Sequence, residues 1–342
     1  MYNLRRKFYI LCICFAIYSV LSLMAYSYYF SSSSDLDLNI SRNLNDYINN
    51  RLSPHILPKK ICSQKKLLLV IVCSRPDDIQ LRKAIRETWG KKHDDVSFYF
   101  LFGEFKKNEQ IFQAMIEGEQ ALFDDIIQER FIDSYNNLTL KSAYMLKVFN
   151  RYCYKSFKYL MKTDDDVFVN VPRVLQMLAN RKENTNVILG RVRHGWPIRD
   201  PDSKWYVTFC ENLHLFFVRY VPYEWYPEKE YPANVCGPGY IMSRDVAKKL
   251  YKCALNESFL NLEDVYLTGI CAKKMNISLE NSYLFTCNYR PSHFCYYKNF
   301  FTLHYYDAEE IVNAYEMLNT NYCNGFSKFD VTKPWTFFFN LF

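Results

Sequence analysis

The chain has 342 residues, of which 49% are hydrophobic and 23% are charged, and its formal net charge is +7 at pH 7. This balance excludes a wholly disordered chain, and the length suits one large domain or two small ones. Three of the positive charges, Arg5, Arg6 and Lys7, lie at the N-terminus. The rest of the chain is too mildly basic to indicate a nucleic-acid-binding protein, so we expect no nucleic-acid partner.

The first thirty residues predict a membrane anchor. Residues 8–30 contain no charged side chain, and their number is close to the ~20 residues that cross a bilayer as a helix. Because the basic tail 1–7 precedes this stretch, the positive-inside rule predicts a cytoplasmic N-terminus and a luminal remainder. A cleaved signal peptide is the alternative, but the run exceeds the ~7–15 apolar residues of a signal core.

The segment after the predicted anchor has the features of a luminal protein. Residues 31–60 are rich in Ser, Asn and Asp and predict a stem, and residues 61–342 predict the folded domain. Ten of the twelve cysteines follow the anchor, an even number that permits disulfides whose pairing the sequence leaves open. Four N-x-[ST] sequons lie on the same side and support this topology: Asn39, Asn137, Asn256 and Asn276.

Strand and helix signals alternate from residue 67 onward. Short apolar runs predict buried strands at 67–73, 97–102, 159–161 and 187–189, with a further apolar piece at 125–128. Helical spacing is found over 77–89, 108–121, 138–154, from Pro172, and over 307–318. This alternation predicts an α/β sheet. The segment 191–238 lacks such periodicity, and it predicts loops and short antiparallel strands over a cleft.

Three consecutive acids, Asp164, Asp165 and Asp166, follow a predicted strand. Ligands of open α/β sheets collect at the carboxyl ends of the strands, and adjacent carboxylates repel one another unless a cation or hydrogen-bond donors compensate them. Carboxylate oxygens suit Mg²⁺ or Mn²⁺, which often bridge protein acids and substrate phosphates. The motif therefore predicts a metal and diphosphate site, in preference to a solvated acidic turn.

A second acidic pair, Glu263 and Asp264, lies among apolar residues. Desolvation there would raise the pKa of a carboxylate towards that of a useful general base. From the pair alone, a helix N-cap with a neighbouring acid is the more common outcome. Trp205 has two interpretations as well, because its ring could stack on a sugar or pack in the core.

Each of three further features has two interpretations. Arg82 and Arg86 share one helix face, which could contact phosphates or form a solvated Arg/Glu surface. Gly237 and Gly239 allow a close backbone approach to a ligand, or simply form a turn. His304 could ligate a metal, although a buried core histidine is the more common case.

The order of these motifs resembles the β1,3-galactosyltransferase family, which includes β1,3-N-acetylglucosaminyltransferases and, more distantly, the Fringe enzymes. Each motif is modest alone, but the set is specific and runs in the family's order over roughly residues 65–304. The matching pieces are LRKAIRETWG at 81–90, FYFLFG at 98–103, DSYNNLTLKS at 133–142, KYLMKTDDDVFVN at 158–170, KWYV at 204–207, YPANVCGPGYIMS at 231–243 and LEDVYLTG at 262–269.

The resemblance implies a GT-A fold, a single Rossmann-like α/β/α nucleotide-sugar-binding domain, behind an N-terminal transmembrane helix. It implies a divalent ion, usually Mn²⁺, with Asp166 as its first-choice ligand and His304 as a second. Asp164 and Asp165 would serve the ribose and the surroundings of the ion. Asp264 falls where the family has its inverting base.

The remaining site assignments also follow from the resemblance. Arg82, Arg86, Gly237 and Gly239 are assigned to the donor site. Two further residues are assigned to the acceptor side, Trp205 and Glu263.

The expected activity is transfer of galactose from UDP-galactose to the 3-hydroxyl of an acceptor sugar on glycoproteins or glycolipids, by an anchored enzyme in the Golgi lumen. Transfer of N-acetylglucosamine or N-acetylgalactosamine is an alternative that the sequence leaves open. A second alternative, of another class, is an inactive sugar-binding luminal scaffold. The sequence also leaves open whether the chain forms a homodimer.

Overall fold

The computed structural model describes residues 41–105, 110–182, 184–199, 221–288, 290 and 294–319. The packed unit that contains the predicted catalytic domain begins at Arg42. Among the helices in these ranges, none has both the length and the apolar character needed to cross a membrane. The predicted anchor at 8–30 lies outside the described residues and stays a prediction.

A mixed sheet of seven strands organises the described part of the chain, in the order β3-β2-β1-β4-β7-β6-β8, and β5 pairs with β9 in a separate small sheet. Strands β1 to β4 run parallel to one another, whereas β7 runs antiparallel to both β4 and β6. The strands are β1 Lys66–Cys73, β2 Val96–Glu104, β3 Ile126–Ile132, β4 Phe157–Asp164, β5 Val167–Val169, β6 Val187–Arg193, β7 Asn234–Ser243, β8 Ser278–Asn281 and β9 Thr302–His304.

Helices connect these strands and cover the sheet. Among the described residues the α-helices are α1 Ile79–Glu87, α2 Gln110–Phe123, α3 Leu138–Val148, α4 Val171–Ala179, α5 Arg244–Ala254, α6 Ala272–Lys274 and α7 Ala308–Asn319. Two π-helical segments, Phe149–Cys153 and Val265–Cys271, follow α3 and precede α6. Short 3₁₀ segments are Leu44–Asp46, Tyr135–Asn137 and Phe294–Asn299.

The central strand β1 has a hydrophobic core on each of its two faces. Leu69 and Ile71 belong to one buried cluster, and Leu68, Val70 and Val72 belong to the other. Successive strand residues point to opposite faces, so a continuous apolar run can fill both cores only where helices cover both sides of the sheet. The structure thus confirms the predicted α/β class.

The Gly-Pro-Gly sequence lies inside β7 and does not form a turn, which corrects one of the two interpretations from the sequence. The pairing of β6 with β7 shifts register between Gly190 and Val192. Pro238 is tolerated there because proline occurs within sheets at irregular positions, where its missing N–H breaks no ladder bond. The predicted helix over 138–154 is also interrupted, since α3 ends at Val148 and continues as a π-helical turn.

Part of the segment expected as a stem packs against the domain. Leu44 and Ile48 are buried in the core. The Nε atom of Arg42 donates to the carbonyl of Phe259 at 2.9 Å. A disulfide joins Cys62 to Cys153. A soluble fragment therefore has to begin before Arg42 to retain these contacts.

Candidate active site

The acidic motif lies at the carboxyl end of the central parallel strands, as the sequence predicts. Asp164 is the last residue of β4, and it lies in register with Cys73, the last residue of β1. The chain reverses after Asp164 and enters β5 at Val167. Asp165 and Asp166 therefore occupy the turn at the edge where open α/β sheets bind their ligands.

Asp165 is the most buried acid of the motif. Burial raises the pKa of its carboxyl, and the charges of Asp78, Asp166 and Asp164 raise it as well, whereas a hydrogen bond from Ser74 lowers it. The resulting pKa is about 7. Its Oδ2 atom is buried and has no hydrogen-bond partner. An unpaired buried carboxyl oxygen is costly unless a bound group completes it.

The small β5–β9 sheet brings His304 to Asp166. Val167 pairs directly with His304, and the amide of Tyr306 donates to the carbonyl of Asp166 at 2.9 Å. As a result, His304 Nε2 lies 3.3 Å from Asp166 Oδ2. The second carboxyl oxygen of Asp166, Oδ1, is buried without a partner.

The other ring nitrogen of His304 is fixed by the backbone. Nδ1 lies 2.7 Å from the carbonyl of Cys287, which can only accept, so Nδ1 carries a proton. Burial lowers the pKa of His304, but the hydrogen bond and charge of Asp166 outweigh it, and the net direction is upward. The Cys236–Cys287 disulfide ties this carbonyl to strand β7. The arrangement is the one by which proteins orient a metal-binding histidine.

These residues fit a divalent cation that the substrate helps to coordinate. Within the described residues, no group of three or more His, Cys, Asp or Glu side chains is arranged to hold a metal ion. Magnesium-like ions are often bound through one or two carboxylates together with substrate phosphates. The unpartnered Asp166 Oδ1 and the oriented imidazole of His304 are the carboxylate and the nitrogen that would hold such an ion together with the substrate.

Lys162 connects the acidic motif to the second acid pair, although the sequence analysis did not single it out. Its ammonium donates to Asp164 Oδ1 at 2.6 Å and to the Gly237 carbonyl at 2.7 Å. Burial alone would lower the pKa of Lys162, but Asp164 and Glu263 outweigh it and the net direction is upward. The only sequence signal was a charged residue within a buried strand.

Glu263 faces inward and is held by its neighbours. Tyr240 donates its hydroxyl to Glu263 Oε1 at 2.6 Å. Burial raises the pKa of Glu263, and the nearby charge of Lys162 acts in the opposite direction. Glu263 is therefore an enclosed carboxylate that supports the site from inside the protein. Its direct contact with an acceptor, as assigned from the sequence, stays a prediction.

Asp264 is the more accessible acid of the pair, with 16% of its side chain exposed. Its Oδ1 accepts from the amide of Val265 at 2.8 Å, and its Oδ2 contacts a guanidinium nitrogen of Arg193. A Cβ atom built on Gly237 would lie 3.6 Å from Asp264 Oδ2. Gly237 thus lies directly beside this carboxylate, while Gly239 lies two residues further along β7, against Thr302.

Arg82 and Arg86 are engaged within the protein. Arg82 is fully buried, and its Nε and Nη2 donate to the two oxygens of Glu119 at 2.8 Å. Arg86 pairs with Glu119 at 2.7 Å and with Asp125 through two bonds of 2.8 Å. Arg82 also donates to Ser74 Oγ at 3.2 Å. Arg82 therefore acts on the acidic site by holding the turn after β1, and its direct contact with a donor stays a prediction.

A cleft of about 370 Å³ opens beside this turn, among residues that follow β1, β2 and β3. Its lining includes Arg75, Glu104, Tyr135 and Lys141. Lys141 donates to the carbonyl of Ser74 at 2.6 Å, so the cleft adjoins the residue that contacts Asp165. The predicted acceptor-side residue Trp205 lies outside the described residues.

Comparisons with known proteins bear on the family of this chain. The galactosyltransferase family model matches residues 80–283. Human beta-1,3-galactosyltransferase 1 is 35% identical over 260 residues, covering 74% of this chain and 74% of that protein. Human UDP-GalNAc:beta-1,3-N-acetylgalactosaminyltransferase 1 is 32% identical over 269 residues, covering 76% and 77%. The apo structure of the bifunctional glycosyltransferase WbbM matches with a TM-score of 0.35 and 12% identity, over 80% of this chain and 52% of that one, which is too weak to support a conclusion.

The fold class, the acidic edge and these relatives together define a hexosyltransferase that uses a nucleotide-sugar donor. The chain belongs to the galactosyltransferase family. The resemblance drawn from the seven sequence motifs is thereby confirmed. Its most specific implications, the donor sugar, the acceptor and the role of each site residue, are separate questions.

Proposed function

We propose that this chain is an inverting β1,3-glycosyltransferase with a GT-A fold, which transfers galactose from UDP-galactose to the 3-hydroxyl of an acceptor sugar. The observation that carries the proposal is the meeting of two different acidic groups at one edge of the sheet. Asp166 lies with His304 on one side, and Asp264 lies on the other. Lys162 and Gly237 form the bridge between them.

Asp264 is the base of the proposed reaction. Its carboxylate takes the proton of the acceptor 3-hydroxyl while the hydroxyl oxygen attacks the anomeric carbon of the donor sugar. The bond from the anomeric carbon to the diphosphate oxygen breaks, and its electron pair leaves with UDP. One displacement inverts the anomeric configuration, so the β linkage arises from an α-linked donor.

Asp166 and His304 would hold a divalent ion, Mn²⁺ or another, whose charge stabilises the departing diphosphate. The unpartnered Asp166 Oδ1 and the oriented His304 ring support this choice of ligands. Asp165 and Ser74 lie next to the cleft beyond β1, and that cleft is our proposed binding site for the uridine. Buried Lys162 keeps Asp164 and the Gly237 carbonyl at fixed positions.

The donor sugar has one specific competitor. The relative named for N-acetylgalactosamine transfer is nearly as similar to this chain as the galactosyltransferase, at 32% against 35% identity. We therefore treat N-acetylgalactosamine as the second candidate donor.

A donor screen tests the proposal. The purified full chain is incubated with Mn²⁺, simple sugar acceptors and each of UDP-galactose, UDP-N-acetylgalactosamine and UDP-N-acetylglucosamine. We expect transfer from UDP-galactose that EDTA and Asp166→Ala abolish. Preferred transfer from another donor would overturn the choice of galactose, and UDP binding without transfer to any acceptor would favour an inactive sugar-binding scaffold.

We also propose that residues 8–30 anchor the enzyme in the Golgi membrane with its catalytic domain in the lumen. The sequons at Asn256 and Asn276 support this topology because both residues are solvent-exposed. Expression in cells should give a protein that resists alkaline extraction from membranes and shifts in mass on treatment with an N-glycosidase. A chain with no glycan at either asparagine would argue against the luminal topology.

A further inference from the structure

Arg193 links strand β6 to the proposed base, Asp264. It is the last residue of β6, and its guanidinium contacts Asp264 Oδ2 while its Nε donates to Asn234 Oδ1 at 3.0 Å. Its side chain is 31% exposed, so the ion pair is accessible to solvent. The segment that follows Arg193 therefore begins next to the proposed base.

This segment, residues 194–199, is held at several points by residues 221–231. The amide of Tyr231 donates to the Gly195 carbonyl at 2.8 Å, and the amide of Val221 donates to the Ile198 carbonyl at 3.1 Å. Arg199 donates to the Val221 carbonyl at 2.9 Å and stacks on the ring of Tyr223. We call residues 194–199 the acceptor loop. Because its backbone is bonded on both sides of residue 196, that residue is presented at a fixed position.

Trp196 occupies this position with 75% of its surface exposed to solvent. A large indole left in water forgoes the free energy that burial would supply, and its flat apolar face is one that a sugar ring can cover. The other described tryptophans differ from it, since Trp89 is buried and Trp225 is partly buried against the core. Only two residues, His194 and Gly195, separate Trp196 from Arg193, which contacts the proposed base.

We propose that Trp196 is the stacking platform for the acceptor, on which the apolar face of its terminal hexopyranose ring lies while the 3-hydroxyl points to Asp264. This inference rests on the proposed function, and it names the acceptor class as a glycan with a hexopyranose at its non-reducing end. Arg193 is a positioning residue, because it fixes the Asp264 carboxylate without contacting the sugar ring.

Steady-state kinetics of the purified full chain test this assignment. Trp196→Ala should raise the acceptor KM about three- to tenfold, the range expected for a lost aromatic contact, while changing the donor KM less than twofold. Trp196→Phe keeps an aromatic ring and should recover most of the affinity. Leu122→Ala is the matched control, because Leu122 is 74% exposed on α2, away from Asp264, and its loss should leave both KM values unchanged.

The outcomes separate this inference from the proposed function. If the wild type transfers sugar but Trp196→Ala keeps the wild-type acceptor KM, the stacking assignment is wrong while the transferase proposal stands. If the wild type transfers no sugar, the proposed function itself fails. A change in oligomeric state without a change in acceptor KM would assign Trp196 to contact with a second copy of the chain and overturn the inference.

Discussion

Two groups of buried charges in this protein differ in how they are compensated. In the first, the two guanidinium groups of Arg82 and Arg86 meet the two carboxylates of Glu119 and Asp125 at 2.7 to 2.8 Å. Every charge has an opposite partner inside the chain. We call this group the scaffold network, because it joins α1, α2 and the start of β3.

The second group is the acidic centre, formed by Asp164, Asp165, Asp166 and Lys162. The Lys162 ammonium contacts Asp164 and the His304 ring contacts Asp166, yet one oxygen each of Asp165 and Asp166 is buried without a partner. Unpaired buried carboxyl oxygens destabilise a fold, and they persist at sites where a ligand completes them. The contrast separates charges that hold the fold together from charges that, in our proposal, the substrate and its metal ion compensate.

The largest expected effect concerns Asp264, the proposed base. Asp264→Asn keeps the size of the side chain but removes its basicity, so transfer should fall about a thousandfold. Binding of UDP, which uses the other side of the site, should change little when measured by calorimetry. Near-normal transfer by Asp264→Asn would mean that another group takes the proton.

Substitution of a residue in the scaffold network should lower the free energy of unfolding. Arg82→Met leaves Glu119 facing one guanidinium in place of two, and breaking a buried ion pair costs about 3–5 kcal/mol of unfolding free energy. Lys83→Met is the control, since Lys83 is 62% exposed on the same helix. Denaturant unfolding measures both variants. A stable Arg82→Met variant that no longer binds UDP would instead assign Arg82 to direct donor contact.

A smaller effect is expected for the buried pair Glu129 and Lys147, which lie 3.2 Å apart. Burial raises the pKa of Glu129 to about 6 from an ordinary value of 4.5, against the attraction of Lys147. The folded state therefore holds this proton more tightly than the unfolded state. The resulting stabilisation is complete below pH 4.5 and is lost as the pH rises through 6.

Glu129→Gln removes this titration. The difference in unfolding free energy between wild type and variant should change by about 2 kcal/mol between pH 4.5 and pH 7, with the wild type gaining stability at the acidic end. Urea unfolding at several pH values measures it. A difference that is constant with pH would show that Glu129 titrates in the folded state as it does in the unfolded chain.

The sequence predicted the parts of the fold that depend on local pattern. The sequence predicted β1, β4 and the acidic motif at the end of β4. A strand that is buried on both faces is a run of consecutive apolar residues, and the residues at its carboxyl end directly follow that run. The spacing of Arg82 and Arg86 left two interpretations open. Their partners Glu119 and Asp125 come from other elements, so only the fold shows that both arginines are engaged within the protein.

Other features depend on contacts between distant segments. The pairing of Val167 with His304 brings the imidazole to Asp166, and no local sequence pattern predicts that pairing. Arg193 likewise had no sequence signal for its contact with Asp264. Helix α5 did have apolar residues at helical spacing, yet it was missed beside the stronger motifs of its neighbours.

The most direct test of the central contrast measures UDP affinity and melting temperature together, for wild type and Asp166→Ala, with and without Mn²⁺. We predict that Mn²⁺ strengthens UDP binding by the wild type at least tenfold and that Asp166→Ala loses this increase. The melting temperature of Asp166→Ala should be unchanged or higher, because the substitution removes one of three crowded acids. If Asp166→Ala binds UDP with Mn²⁺ as the wild type does, or unfolds as readily as Arg82→Met, then Asp166 belongs with the scaffold charges and the account is wrong.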